Sequence, residues 1–273
     1  MIDLIKQCIT MSIPLVLIAL AGFFSERGGV INIGLEGKTL LACFFAVAFS
    51  SRFGPGMGLC LTIVATSLVS LLHWLLTQVY RMDHIISGMA INLLAAGATS
   101  FFKFKFAPDG LDDAHSPPKM LLYALGIITP ALLWWLSHKT RFGLQHRSAG
   151  SDPDKARLLG INPQGIRFLG LIGTGVLCAL AGSLLIAETP QFTDGMTSGR
   201  GYIALAALIL GGWRPVNAAL ACLLFGAASA LQIQYNGQYI PSEAWKSLPY
   251  LVTLLAIAGF LGRNRTPAGL GKP

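Results

Sequence analysis

Arg147-Ser-Ala-Gly-Ser-Asp-Pro-Asp-Lys-Ala-Arg-Leu-Leu-Gly160 is a polar island between two long apolar runs, 120–137 and 168–187. It reads as a short capped helix. Ser151 or Asp152 stands where an N-cap is needed, Pro153 fits the first turn, and Gly160 ends the helix. The runs on either side are then separate membrane spans, and the island is a rigid helix presented to the cytosol. A membrane chain that builds such a helix between spans uses it to touch something.

The composition agrees. The chain has 273 residues, is 53% hydrophobic and only 12% charged, and its mean hydropathy is +0.63. Soluble domains carry roughly 25% charged residues. In lipid the backbone must satisfy its own hydrogen bonds, so repeated apolar runs of helical length predict an all-α polytopic bundle. The net charge of +8 fits loops of a polytopic protein better than a nucleic-acid surface, because no aromatic and basic residues interleave. Cys8, Cys43, Cys60, Cys178 and Cys222 all lie in or beside apolar runs and read as reduced packing residues. No cleavable leader is evident; the first run, with Pro14, reads as a retained span.

Nine apolar segments emerge, near 8–24, 33–51, 58–79, 85–102, 120–137, 168–187, 201–213, 216–235 and 247–262. They predict about 8–10 spans, some short or re-entrant, in a single transmembrane domain over 1–273 with a polar loop at 139–167. With that loop inside, alternation puts Arg27, Lys38, Arg81, Lys139, Arg141, Arg147, Lys155, Arg157, Arg167, Arg214, Arg263, Arg265 and Lys272 inside. Lys6, Arg52, Lys103, Lys105, Lys119, Arg200 and Lys246 remain outside. The bias places the C-terminus in the cytoplasm.

Two segments are abnormal. The second is entered through Glu26-Arg-Gly-Gly-Val-Ile-Asn-Ile-Gly-Leu-Glu-Gly-Lys38. The seventh, Gly201 to Trp213, would cover only about 20 Å of a ~30 Å hydrocarbon core. Glycine-interrupted spans in corresponding places point to a transport pathway. Asn32 and Glu36, four apart, would share a helix face. Glu36 reads either as part of a polar patch on the path or as a cap pairing with Lys38 or a helix N-terminus. Asn92 either meets a polar substrate or bonds a neighbouring helix. Phe192 and Thr193, in the segment Glu188–Gly201, offer an aromatic and an acceptor to a polar ligand. Gly37-Lys38-Thr39 mimics the end of a phosphate loop, but Asn32 stands where its first glycine belongs. Neither paired metal ligands nor a nucleophile turn occurs in the sequence, so an enzyme has little support.

Ile31-Asn-Ile-Gly-Leu-Glu-Gly37, Ile86-Ser-Gly-Met-Ala-Ile-Asn-Leu93, the 147–161 island and Gly199-Arg-Gly-Tyr-Ile-Ala-Leu-Ala-Ala207 together resemble ABC importer permeases. The likeness is to the nucleoside and simple-sugar group of the branched-chain amino acid and ribose permease superfamily. Ile240-Pro-Ser-Glu243, Leu248-Pro-Tyr-Leu251 and Gly259-Phe-Leu-Gly-Arg263 extend it, so that it covers about 13–269. The resemblance implies that Arg147, Asp152, Pro153, Asp154, Lys155, Ala156, Arg157, Leu158, Leu159 and Gly160 form the coupling element, seated in an ATPase subunit. Thr140, Gly143, Gly150 and Ile161 match its pattern; Ser151 and Lys38 depart from it. It also implies a second permease chain, an extracytoplasmic substrate-binding protein, residence in a bacterial inner membrane, and ATP-Mg bound by the partner, with no cofactor or metal in this chain. The rival reading is an ion-coupled secondary transporter for a small polar solute, which prefers a deep carboxylate; Glu36 is its candidate.

Overall fold

A computed structural model describes residues 2–106, 119–235 and 266–271, with positions 245, 247, 251, 252, 254 and 258. Every regular element among these residues is a helix. The centre of the bundle is α1 (Ile2–Arg27), whose residues Leu15 to Ala21 are at most 3% exposed. A helix apolar on all sides is one surrounded by protein, and α1 is enclosed by α5 (Lys119–Lys139), α8 (Pro163–Glu188), α9 (Arg200–Leu210) and α10 (Pro215–Tyr235). α1 runs on through its interior proline, Pro14.

On the periphery, α3 (Pro55–Trp74, prolonged by a widened π turn over Leu75–Val79) shows the pattern expected in lipid. It points Val64, Leu68 and Leu72 outward and buries Thr62, Thr66, Ser70, His73 and Thr77. The polar stripe recurs every three or four residues, so it is one helix face turned inward. α4 (His84–Phe106) and α5 likewise expose Leu93, Phe104, Met120 and Ile127. α2 (Leu35–Phe53) and α8 cross very closely: a methyl group on Gly182 would stand 2.6 Å from the Ala42 side chain and 2.7 Å from the Cys43 backbone nitrogen. Small residues at such crossings let dispersion contacts and backbone approach hold helices together where lipid offers no hydrophobic gain.

Six of these helices are long and apolar enough to cross a bilayer. α2 has 19 residues but carries Glu36 and Lys38 in its first turns, and α9 has only 11. Eight of the nine expected segments are therefore helices, and the ninth, 247–262, falls largely outside the described residues. The polar loop at 139–167 holds two helices, α6 (Arg141–Ser151) and α7 (Pro163 being the start of α8, α7 spans Pro153–Leu158).

The bundle has two ends. The α7 end gathers Arg27, Arg147, Arg214 and the tail 266–271, whose Gly269 and Gly271 donate backbone bonds to Gly150 and Gly29. The other end joins Lys103 to Asp194 and Lys119 to Glu188, each at 3.7 Å. Among the described residues, Lys38, Arg167 and Arg200 depart from the expected loop placement: Lys38 and Arg167 are fully buried in the bundle, and Arg200 opens α9 within it.

Candidate functional site

The island folds as a helix shorter than expected, Pro153–Leu158, because Asp152 and Gly160 bound it from outside. Asp152, not Ser151, is the cap. Its carboxylate accepts from Lys155 N at 3.1 Å, and that bond, with the Lys155 ammonium, holds its pKa below the usual carboxylate range. Gly160 adopts φ +77°, a turn that a side chain would strain. Pro153 and Ala156 are buried beneath, while Leu158 and Leu159 stand 87% and 75% exposed at the tip. Two exposed leucines on a capped, polar helix are an apolar tip that none of the described residues covers. Arg147 lies one helix earlier, on α6, rather than on the same helix as Arg157.

His146 ties α6 to the bundle. Its Nε2 lies 2.8 Å from the Phe24 carbonyl and its ring stacks on Phe142. Donation to a carbonyl requires the proton on Nε2 of the neutral ring. Burial pushes its pKa down from 6.5 to about 4. A base whose folded pKa is depressed contributes fully above the unfolded value and loses stability as pH falls between the two. The contribution of His146 to stability should therefore be constant above about pH 6.5, and about 3 kcal/mol of it should be lost between there and pH 4. His146→Gln should flatten that limb of a pH-dependent melting series; an unchanged slope would assign the acid sensitivity elsewhere.

The second feature lies inside the bundle. Residues 28–34 enter without helix, and α2 begins only at Leu35. From the other side, 189–199 descends from the Glu188 end and starts α9, a helix about 16 Å long at ~1.5 Å per residue, roughly half of a bilayer core. The N-cap of α9 is Gly199 at φ +80°, which has no side chain to cap with. Glu36 supplies the cap from α2. Its Oε1 accepts from Gly199 N at 2.8 Å and Thr197 Oγ1 at 2.7 Å, and its Oε2 from Gly201 N at 2.6 Å. A carboxylate here satisfies orphan N–H groups and faces the positive end of the helix. Of the two readings of Glu36, these bonds are those of the helix cap.

Asn92 holds the same region from α4. Its Oδ1 accepts from Gly37 N at 2.8 Å, and its Nδ2 donates to Ile33 O at 3.1 Å and to Tyr202 Oη at 3.0 Å. The helix–helix role of its amide is thus realised, yet Asn92 is only half-buried and Tyr202 is exposed. The pair places polar atoms on an otherwise apolar flank. Tyr202 and Thr197 were not singled out in the sequence; the signal was Gly199-Arg-Gly201, a helix start that lacks any local cap.

Asn32 is elsewhere. It precedes α2, so it shares no helix face with Glu36, and it is fully buried. Its amide donates to Ser25 Oγ and accepts from Lys38 Nζ, both at 2.9 Å, and Lys38 Nζ also meets His73 Nδ1 at 2.9 Å. The Asn32 N–H reaches Glu26 Oε1, whose other oxygen accepts from Trp213 Nε1 at 2.7 Å. This string, Trp213–Glu26–Asn32–Lys38–His73, pins the non-helical entry to α3 and to the end of α9. Lys38 is thereby engaged, with no free ammonium for a phosphate. Phe192 is 1% exposed and packs edge-on against Phe44 at 5.5 Å, anchoring the descending segment in a small core with Leu40, Val47 and Ile186. Of the five residues read as lining a path, Thr193 is exposed, Asn92 and Glu36 are half-buried, and Asn32 and Phe192 are inside. No group of three or more potential metal ligands occurs among the described residues.

Residues 4–258 match the family described as branched-chain amino acid transport system / permease component. The chain is 36% identical to the guanosine ABC transporter permease protein NupQ of Bacillus subtilis, over 95% of this chain and 92% of that one. It is 32% identical to the nucleoside ABC transporter permease protein NupC of Lactococcus lactis subsp. cremoris, over 98% and 95%. Its fold is similar, with a TM-score of 0.53 and 16% identity over 94% of this chain and 84% of the other, to a solved ABC transporter described as of metal-chelate type, in an inward-facing conformation. A multi-pass helical bundle with a short apolar helix capped from its neighbour, matched over nearly its whole length, is a membrane permease: the chain belongs to the branched-chain amino acid transport system / permease component family, among the permeases of ABC transporters.

Proposed function

We propose that this chain is one of two membrane subunits of a bacterial ABC importer for nucleosides, inserted in the plasma membrane with α7 and the C-terminus in the cytoplasm. The observation that carries the coupling role is the tip of α7, where Leu158 and Leu159 project from a helix fixed by Asp152, Pro153 and Gly160. A partner ATPase, which alone holds ATP-Mg, grips that tip together with Asp154, Lys155, Arg157 and, from α6, Arg147, while the buried Ala156 seats the helix on the bundle. A stiff peg transmits the partner's displacement, whereas a floppy loop would absorb it. ATP binding and hydrolysis then supply the differential stabilisation that moves the spans between two states. An extracytoplasmic binding protein delivers solute. The flank bearing Asn92, Tyr202 and Thr193, with Glu36 behind it, faces the path shared with the second permease.

Nucleosides are favoured as cargo because the relatives named above carry guanosine and nucleoside in their names. The ion-coupled rival needs a carboxylate free to exchange a cation, and both candidates within the bundle are engaged, Glu36 by α9 and Glu26 by Trp213 and Asn32. The test is uptake of labelled guanosine, with ribose and leucine as competitors, in cells expressing the full set of co-assembling chains. Guanosine uptake should be saturable, sensitive to ATP depletion and accompanied by a co-purifying ATPase. Uptake that survives ATP depletion but stops with a protonophore would overturn the reading.

A further inference from the structure

A cavity at the α7 end belongs to neither feature described so far. It encloses about 990 Å³ between the ends of α1, α5 and α6, the turn 211–214 and the tail 266–268. Arg27, Arg147 and Arg214 line it, and the charges of Arg147 and Arg214 both act on Arg27. Among the described residues, none of the three has a carboxylate within ion-pair distance. Glu26, beside Arg27 in the chain, is turned inward to Trp213 and Asn32. The first turn of α10, at Val216 and Asn217, opens on the same space and adds the positive end of a 21-residue helix.

Three convergent cations and a helix N-terminus, with no counter-charge among the described residues, repel one another in a concave site, and an anion relieves that repulsion. Guanidinium forks match phosphate oxygens in geometry. The volume exceeds what a single phosphate group fills, so the phosphate carries a substituent. Trp134, 45% exposed, stands on the rim, where interfacial tryptophans mark headgroup depth.

We propose that this cavity binds a phosphate-bearing anion, with Arg27, Arg147 and Arg214 as its ligands. The two sources of that chemistry are the headgroup of an anionic lipid and a soluble phosphate. The site rests on the proposed orientation only for the leaflet or compartment from which it draws.

The experiment uses the full chain with its co-purifying partners in mild detergent. Melting temperature and native mass are followed while phosphatidylglycerol, phosphatidylcholine or inorganic phosphate is titrated. Phosphatidylglycerol or phosphate should stabilise the wild type, whereas phosphatidylcholine should not. Arg214→Gln, at an exposed position, and Arg147→Gln should each weaken the midpoint roughly fivefold, and the double variant more. Arg141→Gln, an exposed basic position on α6 outside the cavity, should leave the midpoint in place. A response to phosphatidylglycerol alone assigns the site to lipid, and a response to phosphate assigns it to a soluble ligand. Equal midpoints for wild type and both arginine variants, or no response to either anion, would overturn the proposal and leave the charge to acidic side chains of a partner. Because binding is read without transport, this result stands or falls apart from the uptake assay.

Discussion

Leu158→Glu combined with Leu159→Glu is expected to abolish nucleoside uptake and to strip the ATPase from the purified complex. The two side chains are 87% and 75% exposed, so neither supports the fold of this chain, and the variant should insert and purify as the wild type does. Burying a leucine contributes about 1.5–3 kcal/mol, and each glutamate adds the cost of desolvating a charge. A loss of at least ~4 kcal/mol corresponds to roughly a thousandfold weaker association. The measurement is co-purification of the ATPase on a tagged permease, alongside uptake in cells. Retained ATPase and normal uptake in a well-folded double variant would remove α7 from the coupling role.

Glu36→Ala should be the most damaging single change inside the bundle. It removes a carboxylate that accepts three hydrogen bonds at the start of α9, from Thr197, Gly199 and Gly201. Bonds to a charged group contribute about 1.5–3 kcal/mol each but do not add in full, so a loss of about 3–5 kcal/mol is expected. Gly199 has no side chain to take over, and water is scarce at that depth. Glu36→Gln keeps one acceptor but turns an N–H₂ toward a backbone N–H, so it should fall between alanine and wild type. Thermal melting of the purified protein checks the order, and uptake should follow it. If Glu36→Gln melted as the wild type but abolished an uptake that ATP depletion spares, the residue would be an ion-coupling carboxylate, and the cap a minor part of its role.

How much of this was readable in advance differs from residue to residue. The membrane spans were legible because lipid demands long apolar helices, and eight of nine segments came out as helices near their expected places. The capped island was legible because Asp-Pro at the start and glycine at the end act within one turn of helix. α6 was not, because its sequence is polar and carries Gly143 and Gly150; the glycines are there for contact, with Gly150 packed directly on the Arg27 carbonyl. The pairing of Asn32 with Glu36 failed because it assumed a helix through Gly34, whereas the chain becomes helical only at Leu35. Phe192 looked like a ligand-facing aromatic because an isolated aromatic in a polar segment has the same pattern whether it faces solute or plugs a core.

The one-dimensional order of residues was sufficient to set the class of molecule, the rough limits of eight apolar helices and the short capped helix of the island. Each of these depends on interactions within a few residues or on the solvent that a segment requires. Only the tertiary structure decided that Glu36 serves Gly199 and Gly201, that Lys38 is spent on Asn32 and His73, and that Arg27, Arg147 and Arg214 share one cavity. Those partners lie tens to more than a hundred residues apart in sequence for most pairs. A hydrogen bond of ~3 Å range carries no trace along the chain of which distant group will complete it.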